Sequence, residues 1–237
     1  MGRTKLFYDI DDTLFDVIDS EEKAYILGFV ASDGHINKEG KIKITLNIKD
    51  VDILKKIRDF VCRDIRVTYG KNTASLQISR MPIAKAFSRH LKIPFGEPKS
   101  FTVQFPDLPK HLTKHFIRGF FDGDGHITTN LARRNYFYCG ITSASPSMLE
   151  SILSNTWSTF FAKHTTKEAY VIKYYSRWGI LLADYLYKDS KIYLDRKYKL
   201  YEQWKPIFDM PNRVGHYVGV KMFTDNYYRD FLREKGL

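Results

Sequence analysis

Between Lys41 and Ile48 the chain alternates without a break. Ile42, Ile44, Leu46 and Ile48 fall on one side, and Lys41, Lys43, Thr45 and Asn47 on the other. Two further stretches, Ile65–Tyr69 and Ala74–Arg80, repeat the period and set Arg66, Thr68, Ser75, Gln77 and Ser79 opposite their apolar residues. A period of two with one apolar and one polar face predicts antiparallel strands, buried on one side and wet on the other. Asn37–Gly40 and Gly70–Asn72 supply the turns of two hairpins. Elsewhere the spacing is helical: Leu54, Ile57 and Val61 follow a start at Asp50, and Ile83, Phe87 and Leu91 follow one near Pro82. Farther on, strands over Asn135–Ile141 and Glu168–Ser176 and helices from Ser145 and Arg177 repeat the scheme. There Tyr136, Tyr138 and Tyr175 stand where the first set has short polar groups.

Two segments repeat a different, apolar pattern. ILGFVASDG (Ile26–Gly34) and IRGFFDGDG (Ile117–Gly125) are apolar runs with glycine third and Asp-Gly last, each continuing into His-Ile. Their aspartates, Asp33 and Asp124, are 91 positions apart, a domain-sized internal duplication. Asp19 or Ser20 can cap the first helix, with Glu21 and Glu22 at the positive end of its dipole. No charge occurs from Ala24 to Ala31, so that helix is predicted to be buried all round. The second is predicted to run from Pro109 to near Phe121, with each glycine after the aspartate taking a conformation other residues resist. A glycine inside a helix costs roughly 1 kcal/mol against alanine. Accepting that cost at both Gly28 and Gly119 points to close helix–helix contact. Asp33 and Asp124 then sit at helix C-termini, where the dipole disfavours an anion and a nearby cation would relieve the conflict.

The two segments resemble the signature helices of the LAGLIDADG homing endonucleases, in the single-chain form that carries two copies. The likeness runs from about Phe15 to about Tyr201 and includes the FIRGFFDGDG run and the paired segments EPKS (Glu97–Ser100) and DRKY (Asp195–Tyr198). It implies an α+β fold of two pseudo-symmetric αββαββα half-domains. Their antiparallel sheets would form DNA-binding saddles, with the signature helices packed at the interface. It further implies hydrolysis of both strands of duplex DNA across the minor groove, with Asp33 and Asp124 as metal ligands and catalytic acids. Lys99 and Lys197 would be the basic residues beside the scissile phosphates. Mg²⁺ is the expected ion, with Mn²⁺ substituting and Ca²⁺ supporting binding without cleavage. The sixth motif position departs between copies, Ala31 against Asp122. In the family it is not the metal-binding position.

Composition bears on the partner. The chain of 237 residues has 38 Lys+Arg against 27 Asp+Glu, a formal charge of +11. Such a balance attracts polyanions and makes binding salt-dependent. Lys, Arg, Asn and Gln are also the side chains that read base edges. The expected DNA contacts are Lys41, Lys43, Thr45, Asn47, Arg66, Thr68, Ser75 and Gln77 in the first half, and Tyr136, Tyr138 and Lys173 in the second. Arg133 and Arg134 are expected to touch the DNA backbone, and Asn47 and Thr142 to lie at strand ends near the metals. The chain is expected to act as a monomer on a long, partly asymmetric duplex, with RNA left open as a further partner.

The expected organisation is an N-terminal extension (1–19), a first half-domain (20–100), a linker (101–108), a second half-domain (109–204) and a tail (205–237) without an assigned role. The region Lys92–Pro109 holds four of the eight prolines. No run approaches a membrane span, and Met1–Asp12 lacks the form of a secretory signal. With only two cysteines, Cys62 and Cys139, a reducing intracellular compartment is expected. Neither end has the form of a protein-splicing junction, so an intein is not expected. Three alternatives stay open. One is an RNA maturase of the same fold, and a second is a non-cleaving DNA-binding protein. The third, remote, rests on YDIDDTLFD (Tyr8–Asp16), which resembles the first motif of haloacid-dehalogenase-like phosphatases and would give roles to Asp9 and Asp11. That fold needs a parallel βαβ scaffold after the motif, and the pattern here is a duplicated α-β-β array.

Overall fold

The computed structural model describes residues 8–130, 136–156, 160–163, 168–175 and 177–208. They form seven α-helices and eight strands. The first helix, α1 (Glu21–Asp33), starts at Ser20, whose hydroxyl accepts from the Lys23 amide at 3.3 Å, with Glu21 and Glu22 in the first turn. Every residue from Ala24 to Ala31 is buried. β1 (Gly34–Ile36) follows with no intervening residue. β2 (Lys41–Asn47), α2 (Val51–Val61), β3 (Thr68–Tyr69), β4 (Thr73–Ser79) and α3 (Met81–His90) complete the first half. The second repeats it with α4 (Lys110–Asp124), β5 (Gly125–Asn130), β6 (Tyr136–Ser143), α5 (Pro146–Ser154), β7 (Phe160–Lys163), β8 (Tyr170–Tyr175) and α6 (Arg177–Tyr187). A last helix, α7 (Asp195–Phe208), has no counterpart in the first half.

Each half holds a four-stranded sheet in the same order, β1-β2-β4-β3 and β5-β6-β8-β7. All the pairings among the described residues are antiparallel. The alternation read from β2 and β4 holds: Ile42, Ile44, Leu76 and Ile78 are buried, while Lys43, Thr45, Gln77 and Ser79 are exposed. A single apolar core includes residues of both halves.

The most extensive contact between the halves is α1 against α4. A Cβ at Gly28 would lie against the Phe116 carbonyl and 2.9 Å from the Phe120 nitrogen. One at Gly119 would lie against the Tyr25 carbonyl and 2.9 Å from the Phe29 nitrogen. The two contacts are reciprocal, three residues back and one ahead of each glycine, as a pseudo-twofold axis requires. The glycines after the aspartates correct an expectation. Gly34 (φ −78°) and Gly125 (φ −86°) are extended, a conformation any residue adopts. Glycine is needed there for space: a Cβ would come within 2.7 Å of the Val30 carbonyl or 2.5 Å of the Phe121 carbonyl. With no turn between them, each helix hands its last residue directly to a strand.

Other boundaries moved. The strand expected over Ile65–Tyr69 is only β3, leaving Arg66 before it. The helix expected to stop near Phe121 runs on to Asp124. β7 supplies the strand that the αββαββα scheme requires before β8, and α7 lies outside that scheme. α7 spans the start of the expected tail; the helix expected near Asp225 lies outside the described residues. Tyr8–Ser20 forms turns anchored by buried Ile10, Phe15 and Ile18, and the Asp11 carboxylate accepts from the Thr13 amide at 2.8 Å and its hydroxyl at 2.7 Å. No strand follows that motif until β1, and the pairings are antiparallel, so the phosphatase alternative has no scaffold.

Candidate catalytic site at the helix interface

The site forms where α1 and α4 end side by side. Small residues in the last turns set the spacing. A Cβ at Gly123 would sit 2.6 Å from the Ser32 Cβ and 3.1 Å from the Asp33 Oδ2, so the Asp33 carboxylate reaches the turn of α4 that carries Asp124. Asp33 is half-buried and Asp124 exposed. Burial holds the Asp33 carboxyl above its ordinary pKa, against the opposing charges of Lys99, Lys197 and Arg196, and Asp50 adds to the rise.

Each helix end meets a lysine. The Lys99 ammonium, half-buried in the turn after α3, donates to the Ala31 carbonyl at 2.5 Å and to that of Ser32. The Lys197 ammonium, 1% exposed in the first turn of α7, donates to the carbonyls of Phe121 at 2.5 Å, Asp122 at 2.9 Å and Gly125 at 2.5 Å. Ala31, Ser32, Phe121 and Asp122 are among the last four carbonyls of their helices, which have no donor in the next helical turn, and Gly125 opens β5. The two cations therefore supply the charge that an acid at the negative end of the dipole requires. Burial pushes both lysines down to about 8. The Asp124 and Asp33 charges resist that fall at Lys99, and Asp122 leads the resistance at Lys197.

In the sequence Asp122 stands out only as a motif departure. It is the most enclosed carboxylate of the site, 1% exposed. It accepts from the Tyr25 hydroxyl at 2.7 Å, the Tyr187 hydroxyl at 2.6 Å and the Leu194 amide at 2.8 Å. Also unforeseen is Arg118, fully buried, which donates to Glu21 at 2.7 Å and to the carbonyls of Leu186 and Ile192 at 2.9 Å each, tying the start of α1 to α4. Charge within the apolar run Ile117–Gly125 is the available signal for both residues.

The expected DNA contacts separate into four groups. Lys41, Lys43, Thr45 and Asn47 of β2 pair with Ser79, Gln77, Ser75 and Thr73 of β4, and Thr68 pairs with Ser75. They share the polar face of the first sheet, where the Thr45 and Ser75 hydroxyls bond at 2.8 Å. Asn47 also caps the following turn, accepting from the Lys49 amide at 3.0 Å. Arg66 is exposed but outside the sheet. On the second sheet Tyr138 pairs with Tyr175, ring centroids 5.6 Å apart, and Lys173 pairs with Gly140. His126 packs edge-on to Tyr138 on that face. The Tyr136 backbone pairs with Asn130. Arg133 and Arg134 lie outside the described residues.

Among the described residues no three His, Cys, Asp or Glu side chains gather as a metal cage. Two carboxylates without a closed cage fit a hard cation that takes its remaining oxygens from water and a bound phosphate, as Mg²⁺ commonly does.

Residues 112–176 match the LAGLIDADG-like domain family. The fold is that of the LAGLIDADG homing endonucleases. The meganuclease I-SmaMI bound to uncleaveable DNA with a TTGT central four superposes with a TM-score of 0.56 at 14% identity, over 93% of this chain and 97% of that one. The LAGLIDADG homing endonuclease I-GzeII in complex with its DNA target gives 0.57 at 13%, over 90% and 96%. I-SmaMI bound to uncleaved DNA in the presence of calcium ions gives 0.54 at 13%, over 92% and 98%. A probable translation initiation factor IF-2 of Thermococcus kodakarensis is 27% identical over 135 residues, 54% of this chain. The chain spans 11% of that relative's length.

Proposed function

We propose that this protein is a site-specific endonuclease that hydrolyses both strands of duplex DNA with a divalent metal. One observation carries the reading: two signature helices end side by side, each delivering an aspartate next to a buried or half-buried lysine. Each helix then runs straight into a sheet whose other face is polar. Asp33 and Asp124 are the residues to hold Mg²⁺, which would supply activated water and neutralise a leaving oxygen. Lys99 and Lys197 keep positive charge beside the acids where a phosphate would arrive. The halves, expected over 20–100 and 109–204, would each read one side of a long, partly asymmetric site, so one chain suffices per duplex. Solved neighbours in complex with DNA, one with calcium ions present, support this reading. Cleavage-site selection on randomised duplex DNA with Mg²⁺ tests it, and failure to recover any cut duplex at any sequence would sink it.

Two outcomes follow for the surface. Affinity falls steeply with salt, and Lys43→Ala or Gln77→Ala relaxes base preference within one half-site by about 1–3 kcal/mol where the side chain makes a bidentate contact. A competition assay across single-base variants of the site checks it, and uniform weakening would reassign the residue to a phosphate. Asp9→Asn, by contrast, leaves cleavage within about twofold, since exposed Asp9 lies in the turn segment ahead of α1. Loss of DNA cleavage in that variant would place chemistry where the fold has no site.

A further inference from the structure

We infer that Asp122 is a positioning residue for Lys197, seating that ammonium on the end of α4 by a closed circuit that the first half does not contain. The circuit has three links. The Asp122 carboxylate accepts from the Leu194 amide at 2.8 Å. The Leu194 carbonyl accepts from the Lys197 amide at 3.0 Å and the Tyr198 amide at 3.1 Å, which opens α7. The Lys197 ammonium returns to the Asp122 carbonyl at 2.9 Å. One residue thus fixes its lysine at both ends, by side chain at the backbone and by main chain at the ammonium. Tyr25 of α1 and Tyr187 of α6 hold the carboxylate from two further elements.

The equivalent position in the first half is Ala31, which offers Lys99 a carbonyl but no side-chain acceptor. The lysines consequently differ. Lys197 spends three bonds on three carbonyls and is buried, and Lys99 has two carbonyl partners and remains half-buried. A carboxylate with three donors is hard to replace, because an amide of the same shape turns one acceptor oxygen into a donor facing donors. The seat of Lys197 therefore depends on Asp122, and that of Lys99 does not.

The functional consequence rests on the endonuclease reading: Asp122 acts on the strand whose phosphate lies beside Lys197, and acts through that lysine. Two measurements separate this inference from that reading. The first is amide hydrogen exchange of the whole chain, which needs no DNA. In Asp122→Asn the Lys197 and Tyr198 amides exchange about tenfold faster or more, while the Thr102 and Val103 amides that bond to the Lys99 carbonyl are unchanged. The second is a cycle of Asp122→Asn, Lys197→Met and the double variant, following each strand of a duplex recovered from the selection. One strand slows by about 10–100-fold, and the double variant is no slower than Lys197→Met. Additive effects in the cycle, or unchanged exchange, would overturn the inference. If Asp122→Asn does not fold, Tyr187→Phe removes one donor and must loosen the same two amides. A protein that cuts no duplex defeats the endonuclease reading but leaves the exchange result to decide this one.

Discussion

Asp33→Asn and Asp124→Asn each abolish DNA cleavage while leaving DNA binding in place. Asparagine keeps the shape of the helix end and removes the charge that would hold a divalent cation. That cation's stabilisation of developing charge is worth several kcal/mol, and about 4 kcal/mol is about a thousandfold in rate. Removing an acid that faces phosphate also removes repulsion, so affinity without metal holds or tightens. Ca²⁺ supports binding by the unmodified protein without cutting. Because Asp33 reaches the turn that carries Asp124, each single variant loses cutting of both strands rather than becoming a clean nickase. Supercoiled-plasmid cleavage by both single variants and the double, with binding followed in parallel, checks this. Full cutting by either single variant removes the central assignment. Loss of folding in both would return the aspartates to a purely structural role.

The second large effect falls on stability. Gly119→Ala destabilises the chain by about 2–3 kcal/mol, although alanine in an open helix would gain about 1 kcal/mol. The added methyl has nowhere to go, since it meets the Tyr25 carbonyl and the Phe29 nitrogen, both backbone atoms of a buried helix. Backbone in a packed core cannot rotate away as a side chain can. Gly28→Ala meets the Phe116 carbonyl and Phe120 nitrogen and has a similar effect. Equilibrium denaturation of both variants measures it. A gain in stability at either position would show that α1 and α4 do not approach as closely as described.

Much of this architecture was legible because local pattern and global fold agree. The β2 and β4 alternation survives packing because one sheet face is buried and the other is not. The helical glycines announced a close approach, since nothing else justifies their cost twice. Where sequence reasoning slips, packing decides, sometimes within one helical turn and sometimes across the fold. Gly34 and Gly125 looked like turn residues but are crowded by Val30 and Phe121 of their own helices. α7 was missed as a helix although its first turn carries Lys197, one of the expected site residues. Asp122 could be seen as a departure from its partner copy, but its three donors come from residues 25, 187 and 194. No local window contains them.

That asymmetry also means the two halves cannot trade places. Tyr25 and Asp122 meet across the pseudo-axis, and their counterparts are Phe116 and Ala31. Two first halves brought together would present two tyrosine hydroxyls to alanines. Two second halves would present two carboxylates to phenylalanines, each short of one donor. Either homodimer leaves buried polar groups unpaired, at about 1–3 kcal/mol apiece. A single polar pair thus identifies each half to the other as its proper mate, and anyone recombining halves of such chains must carry both members of the pair.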